Sequence, residues 1–245
     1  MQHVPLIDTY TLRPDEVDVD HLLKLSSLAH YFQNSAWRSA DVLGFGYKDL
    51  AQYGLAWVLS RLHLKITSYP RWGETIHVHT WPKRIDRLFA LRDFLVYSDD
   101  EPESPVIQAT SAWLLLDVKT KRPRRIESLQ QPMVTLDKDA IINTPEKMQL
   151  PPSCDHNKSF LVERSHLDVN FHTNNACYIE WIEDAIPMDV YQHKRIHELQ
   201  VNFIGESFIG DSLTMKYRID QDCAGHIHNN SKQDIIRFNA GFKPV

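Results

Sequence analysis

The sequence predicts an α+β fold built as two tandem units, each a long helix followed by an antiparallel sheet. Three observations predict it. A helical apolar period appears in two places, a period of two follows each of them, and one such stretch recurs nearly without change in spacing. Leu62-His63-Leu64-Lys65-Ile66-Thr67-Ser68-Tyr69-Pro70-Arg71-Trp72-Gly73-Glu74 lies without gaps over Leu199-Gln200-Val201-Asn202-Phe203-Ile204-Gly205-Glu206-Ser207-Phe208-Ile209-Gly210-Asp211. An internal duplication is the economical reading.

The first helix is expected from His21 toward Leu43, because Leu22, Leu25, Leu28, Ala29, Phe32 and Ala36 follow helical spacing and Gly44 and Gly46 break it. A shorter apolar segment runs from Leu50 to Leu59. The period then becomes two: Leu62, Leu64 and Ile66, then Ile76, Val78 and Thr80 alternating with His77 and His79, which read as the exposed face. Leu88–Tyr97 and Val106–Val118 read as strands around the solvated turn Asp99–Pro105. Residues from about Glu127 to Asn157 carry several prolines and no period, which reads as a linker. A second helix is expected from Asn174 to Pro187, then strands at Glu198–Gly205, Leu213–Arg218 and Gln233–Ala240. The expected division is 1–130, a linker at 131–157, and 158–245.

The 245 residues are enough for a sizeable core, and 42% hydrophobic with 24% charged residues is ordinary globular composition. No apolar run reaches the ~18 residues a spanning helix needs. Met1–Asp8 has no basic region followed by an apolar core, so a signal peptide is not expected and the cytoplasm is the default location. The odd set Cys154, Cys177 and Cys223 suits a reducing compartment. A net charge of −5 disfavours non-specific nucleic-acid binding. No Gly-rich phosphate loop or dinucleotide fingerprint is present, and no cofactor is expected. Cys223-Ala224-Gly225-His226-Ile227-His228 offers sulfur and imidazole but no fourth ligand nearby, so it reads as a polar surface turn and no metal is expected.

The chemistry concentrates in Asp168-Val169-Asn170-Phe171-His172-Thr173-Asn174-Asn175. On an extended backbone Asp168, Asn170 and His172 would face one side together. Asn174 or Asn175 can cap the second helix, whose first N–H groups are candidate oxyanion donors. Tyr178 and Trp181 read as core residues of that helix. The strip before the first helix has no His-Asn-Asn counterpart, and Tyr69 stands where the second half has Glu206, so a single site in the second half is expected.

Asp168-x-Asn170-x-His172-x-Asn174-Asn175-x-x-Tyr178-x-x-Trp181, together with Thr80-Trp81-Pro82-Lys83-Arg84-Ile85-Asp86-Arg87-Leu88-Phe89-Ala90-Leu91-Arg92-Asp93-Phe94, resembles the pattern of the acyl–acyl carrier protein thioesterases of plant plastids and bacteria. The resemblance runs from about Tyr10 to Phe242 and implies a double hotdog, two helices each wrapped by an antiparallel sheet. It implies hydrolysis of fatty acyl–carrier-protein thioesters by Asp168, Asn170, His172 and Glu206. In that family the glutamate is followed by cysteine; here Ser207 follows it and reads as a strand filler, which leaves a carboxylate-and-water mechanism. Glu206 would be the base, in a partly buried site, with direct nucleophilic attack by its carboxylate as the alternative. The N-terminal unit would shape the acyl pocket. Lys83, Arg84, Arg87, Arg124 and Arg125 would dock an acidic acyl carrier protein, and the fused pair leaves room for a homodimer. An acyl-coenzyme A substrate and a non-catalytic acyl-binding role are the alternatives.

Overall fold

A computed structural model describes residues 5–129 and 132–245. The strip Met1–Val4 and the expected boundary at 130/131 lie outside the described residues. The chain divides into two compact units, one ending at Pro145 and one beginning at Glu146.

The first unit contains β1 (Leu6–Thr11), α1 (Leu25–Val42), α2 (Tyr47–Ala51), β2 (Leu55–Ile66), β3 (Thr75–Asp86), β4 (Phe89–Ser98), β5 (Ile107–Asp117) and the short β6 (Pro123–Arg124). The second contains β7 (His156–Leu161), α3 (Asn175–Glu183), α4 (Met188–Tyr191), β8 (Lys194–Phe203), β9 (Ser212–Ile219), β10 (Asp222–Asn229) and β11 (Asp234–Pro244). Strand order within the first unit is β1-β3-β4-β5-β2, with β6 on β5; within the second it is β7-β9-β10-β11-β8. Each second-unit strand takes the place of its first-unit counterpart, and these pairings are antiparallel, so the duplication extends to topology.

The helical periods do what the spacing dictates. The α1 helix buries Leu25, Leu28, Ala29, Tyr31, Phe32 and Ala36. Phe32 stacks on Phe94 of β4 at 4.3 Å, and Tyr31 stacks on Tyr10 of β1 at 4.1 Å. Burying one such aromatic contributes about 1.5–3 kcal/mol. In the second unit Trp181 of α3 stacks on Phe160 of β7 at 4.7 Å.

Several expectations need correction. The first helix begins at Leu25 rather than His21, because residues 18–22 form a tight loop. The second ends at Glu183, and a separate turn of helix, α4, follows Pro187, which caps it. The segment Leu50–Leu59 splits between α2 and β2 at Gly54, whose φ of +66° suits glycine. β1 and β7 were not foreseen. Both are short strands of six residues with largely alternating exposure. The supposed turn Cys223–His228 is the interior of β10, with Cys223 and Ile227 fully buried. Gly225 marks a close approach there: a Cβ would meet Lys216 O of β9 at 2.3 Å.

The stretch read as a linker is fastened rather than free. Leu136 N–H donates to Pro82 O at 2.8 Å and Trp81 Nε1 to Lys138 O at 2.9 Å, both within the first unit. From Glu146 onward it belongs to the second unit, where Met148 N–H donates to Asn202 Oδ1 at 2.8 Å.

Candidate active site

The strip Asp168–His172 is a loop, not an extended strand. Asp168 Oδ1 accepts from Asn170 N–H at 2.8 Å and His172 N–H at 3.2 Å, the turn that aspartate side chains form with their own backbone. Phe171 takes the left-handed conformation, φ +63°, and Leu167 bridges Thr173 to close the loop. Asp168 is therefore an organiser: its Oδ2 also lies 3.4 Å from Asn170 Nδ2.

The first unit repeats this loop. Asp18 Oδ1 accepts from Asp20 N–H at 2.8 Å and Leu22 N–H at 3.0 Å, His21 has φ +62°, and Val17 bridges Leu23. The strip before the first helix thus has a backbone counterpart after all. What differs is the side chains, Asp20 for Asn170 and Leu22 for His172. The hydrogen bonds also fix the partner register. Leu23 N–H donates to Pro70 O, and Thr173 N–H donates to Ser207 O, both at 2.9 Å. That pairs Pro70 with Ser207 and hence Tyr69 with Glu206, as the ungapped alignment has it.

Glu206 sits three residues beyond the end of β8, in the segment whose Ile204 and Gly205 N–H groups both donate to Ile235 O. Its Oε1 lies 3.5 Å from His172 Nδ1. The His172 ring packs edge-to-face on Phe208 at 5.1 Å. Glu206 is 37% and His172 26% exposed, so the pair is partly buried with the carboxylate open to solvent on one side. A water can reach it directly. Asn170 is exposed on the same loop, its Nδ2 directed to Asp168 Oδ2.

Helix α3 starts next to this pair. Asn174 is its cap, the Oδ1 accepting from Ala176 N–H at 2.9 Å. Asn174 N–H is committed to His166 O and Cys177 N–H to Asn174 O. Among the described residues Asn175 N–H alone of the first amides has no acceptor, so the oxyanion candidates narrow to it.

The cysteines are poor nucleophiles. Burial pushes the Cys177 thiol up to about 11 and the Cys223 thiol up to about 12, which keeps both protonated near neutrality. Among the described residues no group of three or more His, Cys, Asp or Glu is arranged to hold a metal ion.

Of the basic residues, Lys83 is not available to a partner. It is 2% exposed, with Nζ 2.6 Å from Asp139 Oδ1 and 3.2 Å from Asp93 Oδ2, and it donates to Ile141 O. It fastens residues 139–141 to the first unit. Arg84 is also paired with Asp139, at 2.8 Å, while Arg87, Arg124 and Arg125 are exposed. Sequence reasoning gave no role to Phe208 and read Ser207 as filler. Ser207 is in fact wholly buried and hydrogen-bonded, to hydroxyls that no local signal in the sequence connects with it.

Residues 6–129 match the acyl-ACP thioesterase N-terminal domain and residues 151–243 the C-terminal domain. The chain belongs to the acyl-ACP thioesterase family. Among curated members of that family, a chloroplastic palmitoyl-acyl carrier protein thioesterase of Gossypium hirsutum is 25% identical over 252 residues, which is 96% of this chain and 61% of that one. A chloroplastic oleoyl-acyl carrier protein thioesterase of Coriandrum sativum is 24% identical over 89% of this chain and 64% of its own. The chain spans less than two thirds of the length of these plant relatives. Among solved structures, an acyl-ACP thioesterase from Bacteroides thetaiotaomicron superposes with a TM-score of 0.89 at 26% identity, covering 97% of both chains. The 12:0-ACP thioesterase of Umbellularia californica shares the fold, with a TM-score of 0.84 at 22% identity. The two units are accordingly tandem hotdogs.

Proposed function

We propose that this acyl-ACP thioesterase family member hydrolyses the thioester of fatty acyl–acyl carrier protein, releasing free fatty acid. The observation that carries the reading is that His172, on the loop that Asp168 shapes, lies 3.5 Å from Glu206 on the segment after β8, in a chain of this family. Glu206 is the general base. It takes a proton from a water that attacks the thioester carbon, and His172 orients that water. Asn170 and Asn175 N–H are proposed to receive the carbonyl oxygen as it becomes an oxyanion. As the tetrahedral intermediate collapses the C–S bond breaks, and the proton held by Glu206 passes to the leaving thiolate. Asp168 holds the loop and does no chemistry itself.

Acyl carrier protein is the proposed partner, docking on Arg87, Arg124 and Arg125 with a smaller part for Arg84. The N-terminal unit is proposed to carry the acyl pocket. In its support, that unit contains a half-open cleft of about 340 Å³ lined by Leu6, Ile7, Val42, Leu43 and Trp81, at the low end of the ~300–1,000 Å³ usual for ligand sites. No helix among the described residues is long and apolar enough to cross a membrane, and we propose a cytoplasmic location.

The test is initial-rate hydrolysis across a panel of acyl chain lengths, each presented on acyl carrier protein and on coenzyme A. The reading predicts a higher kcat/KM on the carrier protein for at least one chain length. A uniform preference for coenzyme A would replace the substrate, and no hydrolysis of either would end the enzymatic reading.

A further inference from the structure

The residues that follow the proposed base and the proposed water-orienting histidine are tied to each other. Ser207 is 0% and Thr173 5% exposed. Ser207 Oγ lies 2.7 Å from Thr173 Oγ1 and 2.6 Å from the hydroxyl of Tyr178, on the first turn of α3. Thr173 N–H donates to Ser207 O at 2.9 Å, and Thr173 Oγ1 donates to the same carbonyl at 3.2 Å. One arrangement of protons satisfies every hydroxyl: Tyr178 donates to Ser207 Oγ, Ser207 donates to Thr173 Oγ1, and Thr173 donates to Ser207 O. Burial pushes the Tyr178 phenol above its ordinary value, so it stays a neutral donor.

The first unit supplies an internal control. Its backbone makes the equivalent contact, Leu23 N–H to Pro70 O, at the same 2.9 Å. The matching side chains are Leu23 for Thr173, Leu28 for Tyr178 and Pro70 for Ser207, and none carries a hydroxyl. The fold therefore closes this loop onto this segment without those hydroxyls, through backbone bonds from Leu23 to Pro70 and from Trp72 to His21 and the stacking of His21 on Trp72. The hydroxyl network is present in the unit that carries His172 and Glu206 and missing from the unit that carries Leu22 and Tyr69. Buried polar networks are costly when imperfect and rigid when complete, and a fully satisfied one fixes geometry more than it adds stability.

We infer that Ser207 is a positioning residue. With Thr173 and Tyr178 it forms a buried hydroxyl clamp that locks the backbone of Glu206 against the backbone of His172. The clamp sets their separation from beneath, through the peptide units each shares with a clamp residue. This rests on the function proposed above, since only a reaction that uses the His172–Glu206 pair would feel the clamp in turnover.

Ser207→Ala, Tyr178→Phe and Ser207→Cys test it, in the full chain, with circular dichroism confirming that each variant is folded at the assay temperature. Ser207→Ala should lower kcat by about 10- to 100-fold, the loss expected when reacting groups are misplaced by an ångström or less, with KM within about twofold. Tyr178→Phe keeps the ring and should lower kcat in the same way but less. Ser207→Cys, a weaker hydrogen-bonding group of similar shape, should recover part of the loss. Amide hydrogen exchange should quicken across residues 168–175 in Ser207→Ala and stay unchanged in the matching first-unit loop, residues 18–25. A kcat for Ser207→Ala within about twofold of the parent, or a loss confined to KM, would overturn the inference. So would unchanged exchange at 168–175. If the parent protein hydrolyses none of the panel, the functional reading fails instead, and the exchange experiment still reads the clamp.

Discussion

Asp168 and Asp18 form a matched pair that separates organising a loop from serving a site. Each carboxylate accepts two backbone N–H bonds, at 2.8 and 3.2 Å for Asp168 and at 2.8 and 3.0 Å for Asp18. Replacing either by alanine removes two bonds from a loop that water can reach. The cost is therefore the net worth of the bonds, about 0.5–1.5 kcal/mol each, and not a buried-charge penalty. The two variants should each lose about 1–3 kcal/mol, and in a 245-residue chain one kcal/mol shifts Tm by about 2–4 °C. In activity they should part. Asp168→Ala frees His172 from its fixed approach to Glu206, and Asn170 from Asp168, and should lower kcat by about 10- to 100-fold. Asp18→Ala should leave kcat within about twofold, since Leu22 and Tyr69 carry no base or donor that the reaction needs. Thermal unfolding and steady-state hydrolysis on the same preparations give both readings. Equal loss of kcat in the two variants would refute the assignment of the site to the second unit. Full activity in Asp168→Ala would refute the loop's role.

Gly225→Ala should destabilise the second unit by about 1–3 kcal/mol or more, read by denaturant unfolding, because the new methyl would meet Lys216 O at 2.3 Å across the β9–β10 pair. Lys83 holds the Asp139 carboxyl below the usual carboxylate range, with Arg84 assisting against the opposing effect of burial. A carboxylate depressed on folding contributes stability above its unfolded value, and that contribution is lost as pH falls through the folded value. Stability should therefore decline below about pH 4, and Asp139→Asn, weaker at neutral pH, should show a shallower acid limb. Charge reversal of Arg87, Arg124 and Arg125 to glutamate should raise KM for acyl carrier protein, an effect that shrinks with salt, and leave hydrolysis of acyl-coenzyme A unchanged.

The two helices were legible because α1 and α3 each bury one apolar face, and β3 because its burial alternates over residues 75–80. The register of Tyr69 on Glu206 was legible too, since the duplicated segment kept its length. β1 and β7 were not, being short edge strands whose pairing rather than their composition makes them strands. β10 was hidden because histidines at 226 and 228 and a glycine at 225 look like a turn, while its burial comes from the neighbours. The loop at Asp168 was misread as extended because every-second-residue spacing mimics a strand; the aspartate's competition for backbone N–H groups decides the matter. Lys83 read as a surface cation because nothing local in sequence shows Asp139 reaching back to it. Ser207 read as filler because a lone serine gives no sign of the two hydroxyls, 29 and 34 positions away, that close around it.

The most direct measurement is the turnover of Glu206→Gln on acyl carrier protein thioesters, with its Tm beside it. Glu206 is 37% exposed, and its 3.5 Å pairing with His172 is of the surface kind worth at most ~1 kcal/mol, so Tm should shift by only a few degrees. Removing a general base should lower kcat by about 10²–10⁴-fold with KM little changed. Retention of kcat within about threefold in a folded Glu206→Gln protein would contradict the account.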